Sequence, residues 1–420
     1  MVSRKMRTFF CVAGILVLTL GAMMAFVQHQ NIKNQTILDM TSEQKLSDFD
    51  TLCSVLDESY PFWNEVAQSG IDKNEIYRTY RDNVVNTKTD IAFFKEISYF
   101  LKEFGGFGHL SALDGHMYRL YMNALSASGS TLSEQEKRNI QPLIEVLTNA
   151  VSQKTYEFLD QSHEGFRSIS GLKEEYQNQS TPANTQALPQ LVTKFYDSPN
   201  AAYLKIDSFD LMNYKRDQGF LSEFYMSLKD IPYLIIDLRE NSGGSDLYWQ
   251  DLIVKPNVKE SVTSERYYFF NLSGSNQDYI SANGIYFEPI SAVREPYLSH
   301  HGHLFSHYTV DKLSFDMADE PYQGEIWVLV SDEVYSASEN FAMFCKNTGF
   351  ATLVGTATGG DGGIADPMLI SLPNSGLIVR FSAFYGTNAD GSGNEANGTA
   401  PDIMIADGED ALEKCLELLS

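Results

Sequence analysis

Cysteine is scarce in this chain: there are four in 420 residues, and Cys11 sits inside an apolar run. Cys53, Cys345 and Cys415 remain, with no paired or metal-type spacing, so neither a disulfide framework nor a thiolate zinc centre is expected. Basic charge is also thin. Against 55 Asp and Glu stand 31 Lys and Arg, a formal net charge of −24. No broad cationic surface exists to neutralise phosphates, which argues against nucleic acid as a partner. Histidine crowds at one place, His300, His301, His303 and His307, among Ser, Gly and Tyr in a loop-like stretch; no metal and no cofactor are expected there. No internal repeat is evident. What remains is ordinary for a globular protein, 43% hydrophobic and 20% charged, and long enough for a large catalytic unit plus a smaller accessory region.

The N-terminus carries Arg4, Lys5 and Arg7, followed by 19 uncharged residues from Phe9 to Val27. A signal-peptide core takes about 7–15 residues and a membrane span about 17–25. The run lacks a clean Ala-x-Ala site, having Ala22-Met23-Met24-Ala25. It reads as an uncleaved signal anchor, with a cleaved signal peptide as the alternative. Positive charge ahead of it keeps the N-terminus cytoplasmic and places everything after about residue 30 outside. The expected location is the cell membrane with an extracytoplasmic catalytic domain, or the exterior if the segment is removed.

Beyond the N-terminal segment, 1–30, the pattern divides the chain further. Residues 40–105 read as helical, with Phe49, Leu52, Cys53 and Leu56 at three-to-four spacing, then Phe93, Phe94, Ile97, Phe100 and Leu101. Residues 106–195 read as a loop, a helical stretch near 131–160 and a polar linker, Gln177 to Asn200, rich in Asn, Gln, Pro and Ser. From 196 to 420, strands alternate with helices: Ala202–Ile206, Tyr233–Leu238, Ile326–Val330 and Ala351–Val354. That alternation implies an α/β catalytic domain, and the near-continuous apolar runs imply strands covered on both faces.

Two of these strands end in turns with chemical interest. The strand closing at Leu238 runs into Arg239-Glu240-Asn241-Ser242-Gly243-Gly244, and the one closing at Val330 leads to Tyr335-Ser336-Ala337-Ser338-Glu339. Ligands collect at the carboxyl ends of strands in open α/β sheets. Glycine lets main-chain N–H groups approach a substrate, as an oxyanion hole requires. Ser336 would open a helix, where the dipole stabilises developing negative charge. Ser336-x-x-Glu339 is equally a capping box, in which the serine merely satisfies an N–H.

Taken together, Tyr203-Leu204-Lys205-Ile206-Asp207-Ser208-Phe209, Ile235 through Gly244, the Ser336 segment and Leu353-Val354-Gly355-Thr356-Ala357-Thr358-Gly359-Gly360 resemble the carboxy-terminal processing and tricorn family of serine peptidases. The resemblance implies a crotonase-like βα superhelix preceded by a small helical N-terminal region. In the processing branch a lysine acts as base, and the corresponding position here is Asp361. The resemblance therefore points to the tricorn-like branch with a Ser-His-Glu arrangement. It implies Ser336 as nucleophile, His109 in Phe107-Gly108-His109-Leu110-Ser111 as base, and Glu395, just before Gly398-Thr399-Ala400-Pro401-Asp402, as orienting acid. His116 in Asp114-Gly115-His116 is the rival base. The oxyanion donors implied are the N–H of Ala337 and that of Gly243 or Gly244. No strand-rich PDZ-like module is seen between 117 and 195.

The implied activity is hydrolysis of polypeptide substrates through an acyl-enzyme, without metal or cofactor. The alternatives are a non-catalytic ligand- or peptide-binding protein on the same fold, and a hydrolase of another acyl bond.

Overall fold

The computed structural model describes residues 38–128, 140–161, 191–361 and 367–420. The Phe9–Val27 run, read from the sequence as an anchor, lies outside these. Among the described residues no helix is long and apolar enough to cross a membrane.

The described residues open with four helices, α1 (Ser42–Ser59), α2 (Trp63–Gln68), α3 (Lys73–Asn86) and α4 (Asp90–Lys102). Local chemistry sets their starts: Thr41 and Gln44 form a reciprocal capping box, while Asp72 and Thr89 accept the first free N–H groups of α3 and α4. Short strand β1 (Ser111–Ala112) follows, then α5 (Gly115–Ser128), α6 (Gln141–Leu147) and α7 (Ala150–Gln161). The expected linker is shorter than its composition suggests. Its part up to 190 lies outside the described residues, and Val192–Tyr196 is a strand, β2, because its backbone pairs antiparallel with β3 (Ala201–Lys205). A partner strand overrides the polar composition around it.

Next come α8 (Tyr214–Ser227), β4 (Tyr233–Asp237), α9 (Asp246–Trp249), β5 (Val262–Phe270), α10 (Gly274–Ala282), β6 (Glu288–Pro289), α11 (Tyr297–His301) and β7 (His307–Phe315). The rest is β8 (Glu325–Val330), α12 (Ala337–Thr348), β9 (Thr352–Gly355), β10 (Met368–Ser371), β11 (Ile378–Phe381), β12 (Tyr385–Gly386), α13 (Asn394–Asn397), β13 (Ile403–Met404) and α14 (Ala411–Leu419). The fold is mixed α/β. Its central sheet has six strands in the order β13-β9-β8-β4-β3-β2, all parallel except β2. Alternate residues face opposite ways: Leu204, Leu234, Ile236 and Val328 pack under α8, α9 and α12, while Tyr203, Ile235, Leu329 and Val354 pack against α14.

Two antiparallel sheets complete the molecule, β12-β5-β7-β6 and β1-β11-β10. They share one hydrophobic core with helices α1 to α4, so the helical region is packed onto the catalytic half. Polar ties reinforce this packing: the buried Asp48 carboxylate accepts the N–H groups of Asn374 and Ser375. Pairing of β1 with β11 sets Ser111 opposite Arg380 and thereby brings the His109 loop to the carboxyl end of the central sheet.

Candidate active site

The turn after β4 is built around Asn241, a fully buried side chain. Its Nδ2 donates to the Ile206 carbonyl at 3.0 Å, and its Oδ1 accepts from the Gly243 N–H at 2.9 Å and the Ser338 hydroxyl at 2.6 Å. One amide thus joins β3, the glycine turn and the start of α12. Gly243 and Gly244 adopt φ of 110° and 140°, conformations that only glycine takes without strain. The Gly243 N–H is used by Asn241; among the described residues the Gly244 N–H has no acceptor, and neither has the Ala337 N–H.

Ser336 precedes α12 with φ 57° and ψ −123°, and its hydroxyl caps nothing. The capping-box alternative is therefore not realised. Glu339, which would have closed that box, is buried instead and accepts from Asn394 Nδ2 and the Thr399 hydroxyl, both at 2.6 Å. Burial pushes its carboxyl up to about 7, with those donors opposing the rise. The geometry of the Gly398-to-Asp402 element has a structural cause of its own: a Cβ on Gly398 would lie 2.0 Å from the Thr358 carbonyl, and Asp402 accepts the Leu353 N–H at 2.9 Å.

After β9 the chain passes beside the serine segment, Gly360 bridging Tyr335 in parallel. This sets Asp361 level with Ser336. Asp361 is buried and has φ 64°; His109 has φ 60°. Of four non-glycine residues with positive φ among the described residues, three are therefore Ser336, His109 and Asp361. Each such conformation costs on the order of 1–3 kcal/mol and persists where the surroundings over-determine it, as at functional sites.

His109 reaches the same place from the opposite side. Its ring packs edge-on against Tyr335, centroids 5.7 Å apart. Nδ1 lies 3.0 Å from Arg380 Nη2, and Nε2 lies 2.5 Å from Asp361 Oδ2 in an ion-pair contact. Glu395 does not touch the ring. Its Oε1 accepts the Gly108 N–H at 3.0 Å, holding the backbone of the histidine loop. Burial, then the charge of Asp361, pushes the Glu395 carboxyl up to about 8, against the Gly108 hydrogen bond; Asp361 also acts on it through a hydrogen bond. The structure thus brings Ser336, His109, Glu395, Gly243, Gly244 and Ala337 together. His116 is exposed on α5. Asp361, which in the sequence marks only the place of an absent lysine, is the carboxylate at the ring. Its buried contact depends on β1 pairing with β11, which no local pattern reveals.

The histidine-rich stretch has a separate setting. His301 is buried, with Nε2 2.8 Å from the Gly391 carbonyl, and burial lowers its pKa. Among the described residues no group of three or more His, Cys, Asp or Glu could hold a metal ion.

The sequence profile of peptidase family S41 matches residues 200–405, the span from β3 to the end of the Gly398 element. Two solved structures are similar in fold. One is a candidate peptidase from Parabacteroides merdae ATCC 43184, with 19% identity over 92% of this chain and 97% of that one, TM-score 0.51. The other is mature CPAF, with 12% identity over 86% of this chain and 92% of that one, TM-score 0.50. No curated protein matches. With the family's segment laid out as this sheet and these turns, residues 200–405 are a peptidase family S41 segment, and the chain is a serine peptidase.

Proposed function

We propose that the chain is an extracytoplasmic endopeptidase of the tricorn-like Ser-His-Glu branch, cleaving polypeptides through an acyl-enzyme on Ser336. The observation that carries this reading is the Ser336 hydroxyl: strained backbone holds it at a helix start without capping the helix, beside two N–H groups, of Gly244 and Ala337, that have no acceptor. Those N–H groups suit the oxyanion of a tetrahedral intermediate. Since Gly243 donates to Asn241, Gly244 is the glycine of that pair. The crotonase-like superhelix implied by the resemblance is compatible with the parallel sheet, and the Phe9–Val27 segment would supply export.

His109 is the base. Arginine only donates, so the Arg380 contact marks Nδ1 as the ring's lone-pair nitrogen. When Arg380 turns from Nδ1, that nitrogen takes the Ser336 proton as Oγ attacks the peptide carbonyl. The same proton passes to the departing amine nitrogen as the C–N bond breaks. Water then gives its proton to Nδ1 and its oxygen to the acyl carbon, and Ser336 recovers its proton on release.

A fluorophosphonate serine probe tests this reading. Wild-type protein should be labelled and should cleave fluorogenic casein, and Ser336→Ala should abolish both. Labelling that persists in Ser336→Ala removes the nucleophile assignment.

A further inference from the structure

Asp361 stands where the residue pattern only suggested a missing lysine, and its surroundings are those of a working group. It is buried, its backbone sits at φ 64°, and its Oδ2 lies 2.5 Å from His109 Nε2. Because Arg380 donates to Nδ1, a neutral His109 must carry its proton on Nε2, the nitrogen that faces Asp361. Glu395 also hydrogen-bonds Asp361 and holds the Gly108 N–H. Burial, then the charge of Asp361, pushes the Glu395 carboxyl up to about 8, so Glu395 keeps its proton at neutral pH.

We infer that Asp361 is the positioning residue of His109: its carboxylate holds the Nε2–H side of the ring, which leaves Nδ1 to take the Ser336 proton, while protonated Glu395 anchors Asp361 and the histidine loop together. The inference rests on Ser336 and His109 acting as proposed above, and replaces direct orientation of the ring by Glu395. No atom changes hands at Asp361. It balances the positive charge that His109 acquires when the Ser336 proton arrives, and it fixes the tautomer beforehand. The groups acting on Asp361 and its ring are Glu395, Arg380, Tyr335, Glu339 and Tyr268. Of these acids, Glu339 turns its Oε1 to Asn394 and Thr399, while Tyr335 and Glu395 are the groups that share a hydrogen bond with Asp361.

The test measures fluorophosphonate labelling across pH for wild type, Asp361→Asn and Asp361→Glu, together with ¹⁵N spectra of the His109 imidazole. Asp361→Asn should lower the limiting labelling rate by about 10²–10⁴-fold while changing the probe's half-saturation by less than about twofold. The acidic limb should move to lower pH, because the imidazolium has lost its counter-charge. Asp361→Glu should recover part of the rate. Wild-type spectra should show the proton on Nε2. An Asp361→Asn rate within about threefold of wild type, with the acidic limb unmoved, overturns the inference yet leaves the peptidase reading standing as long as Ser336→Ala is unlabelled. If Asp361→Asn does not fold, the wild-type spectrum decides, and a proton on Nδ1 overturns the assignment. Failure of wild type to label at all removes the peptidase reading and this inference with it.

Discussion

Gly243 and Ser336 approach so closely that a Cβ on the glycine would lie 3.0 Å from the serine Cβ, and 2.8 Å from the Tyr335 carbonyl. Gly243→Ala should therefore displace the serine turn and reduce kcat by about 10²–10³, the loss typical of a disturbed oxyanion site. Gly244→Ala differs in kind. Its Cβ would meet the Phe209 carbonyl carbon at 2.4 Å, so thermal melting should fall as well as labelling. Comparing melts with labelling rates separates the two variants.

Asn241 joins three segments through one buried amide. Asn241→Ala leaves the Ile206 carbonyl and the Ser338 hydroxyl without that partner and frees the Gly243 N–H. A stability loss of about 2–5 kcal/mol is expected, with a fall in kcat because the glycine turn is no longer fixed. Chemical denaturation and labelling kinetics measure the two effects.

Glu339 and Glu395 make stability depend on pH in a defined direction. Both carboxyls are raised above the ordinary glutamate value, to about 7 and about 8, burial being the first cause. A raised carboxyl favours the folded state at low pH and loses that advantage as pH climbs from about 4.5 to the folded value. Stability should therefore decline from about pH 4.5 to about pH 8 by a few kcal/mol, and Glu395→Gln should flatten much of the decline. Urea unfolding at a series of pH values is the measurement.

The two candidate bases should separate cleanly. His109→Ala should abolish labelling, since the ring lies among Tyr335, Asp361 and Arg380. His116→Ala should leave it within about twofold, because the side chain is exposed on α5. Equal loss in both variants would contradict the assignment.

The helical region should matter to catalysis through Phe62. A Cβ on Gly108, which has φ 59°, would lie 2.2 Å from the Phe62 ring, and the Tyr60 hydroxyl donates to the Phe107 carbonyl at 2.8 Å. Phe62→Ala should cost about 3–5 kcal/mol and slow labelling by loosening the His109 loop. An unchanged labelling rate in folded Phe62→Ala would show that the loop is held without Phe62, by Glu395, Tyr60 and β1.

Much of this was written locally. The strands of the central sheet are continuous apolar runs, and the glycines and Ser336 stand at the ends of two of them, so their shared edge follows from parallel pairing. The segment Val192–Tyr196 was not legible, because its strand state comes from β3 beside it. Nor was the fate of Ser336-x-x-Glu339. The capping box it spells is given up because Glu339 finds Asn394 and Thr399, residues more than fifty positions away in the chain.

Sequence alone determined the α/β alternation, the acidic surface, the glycine turn and the short roster of serine, histidine and glutamate from which a site could be made. Tertiary structure decided how that roster is wired. Whether a histidine meets Glu395 or Asp361 depends on which strand β1 pairs with, and Ser111 opposite Arg380 places the ring between Arg380 and Asp361. Such contacts are fixed by packing across more than two hundred residues, where no residue pattern carries distance.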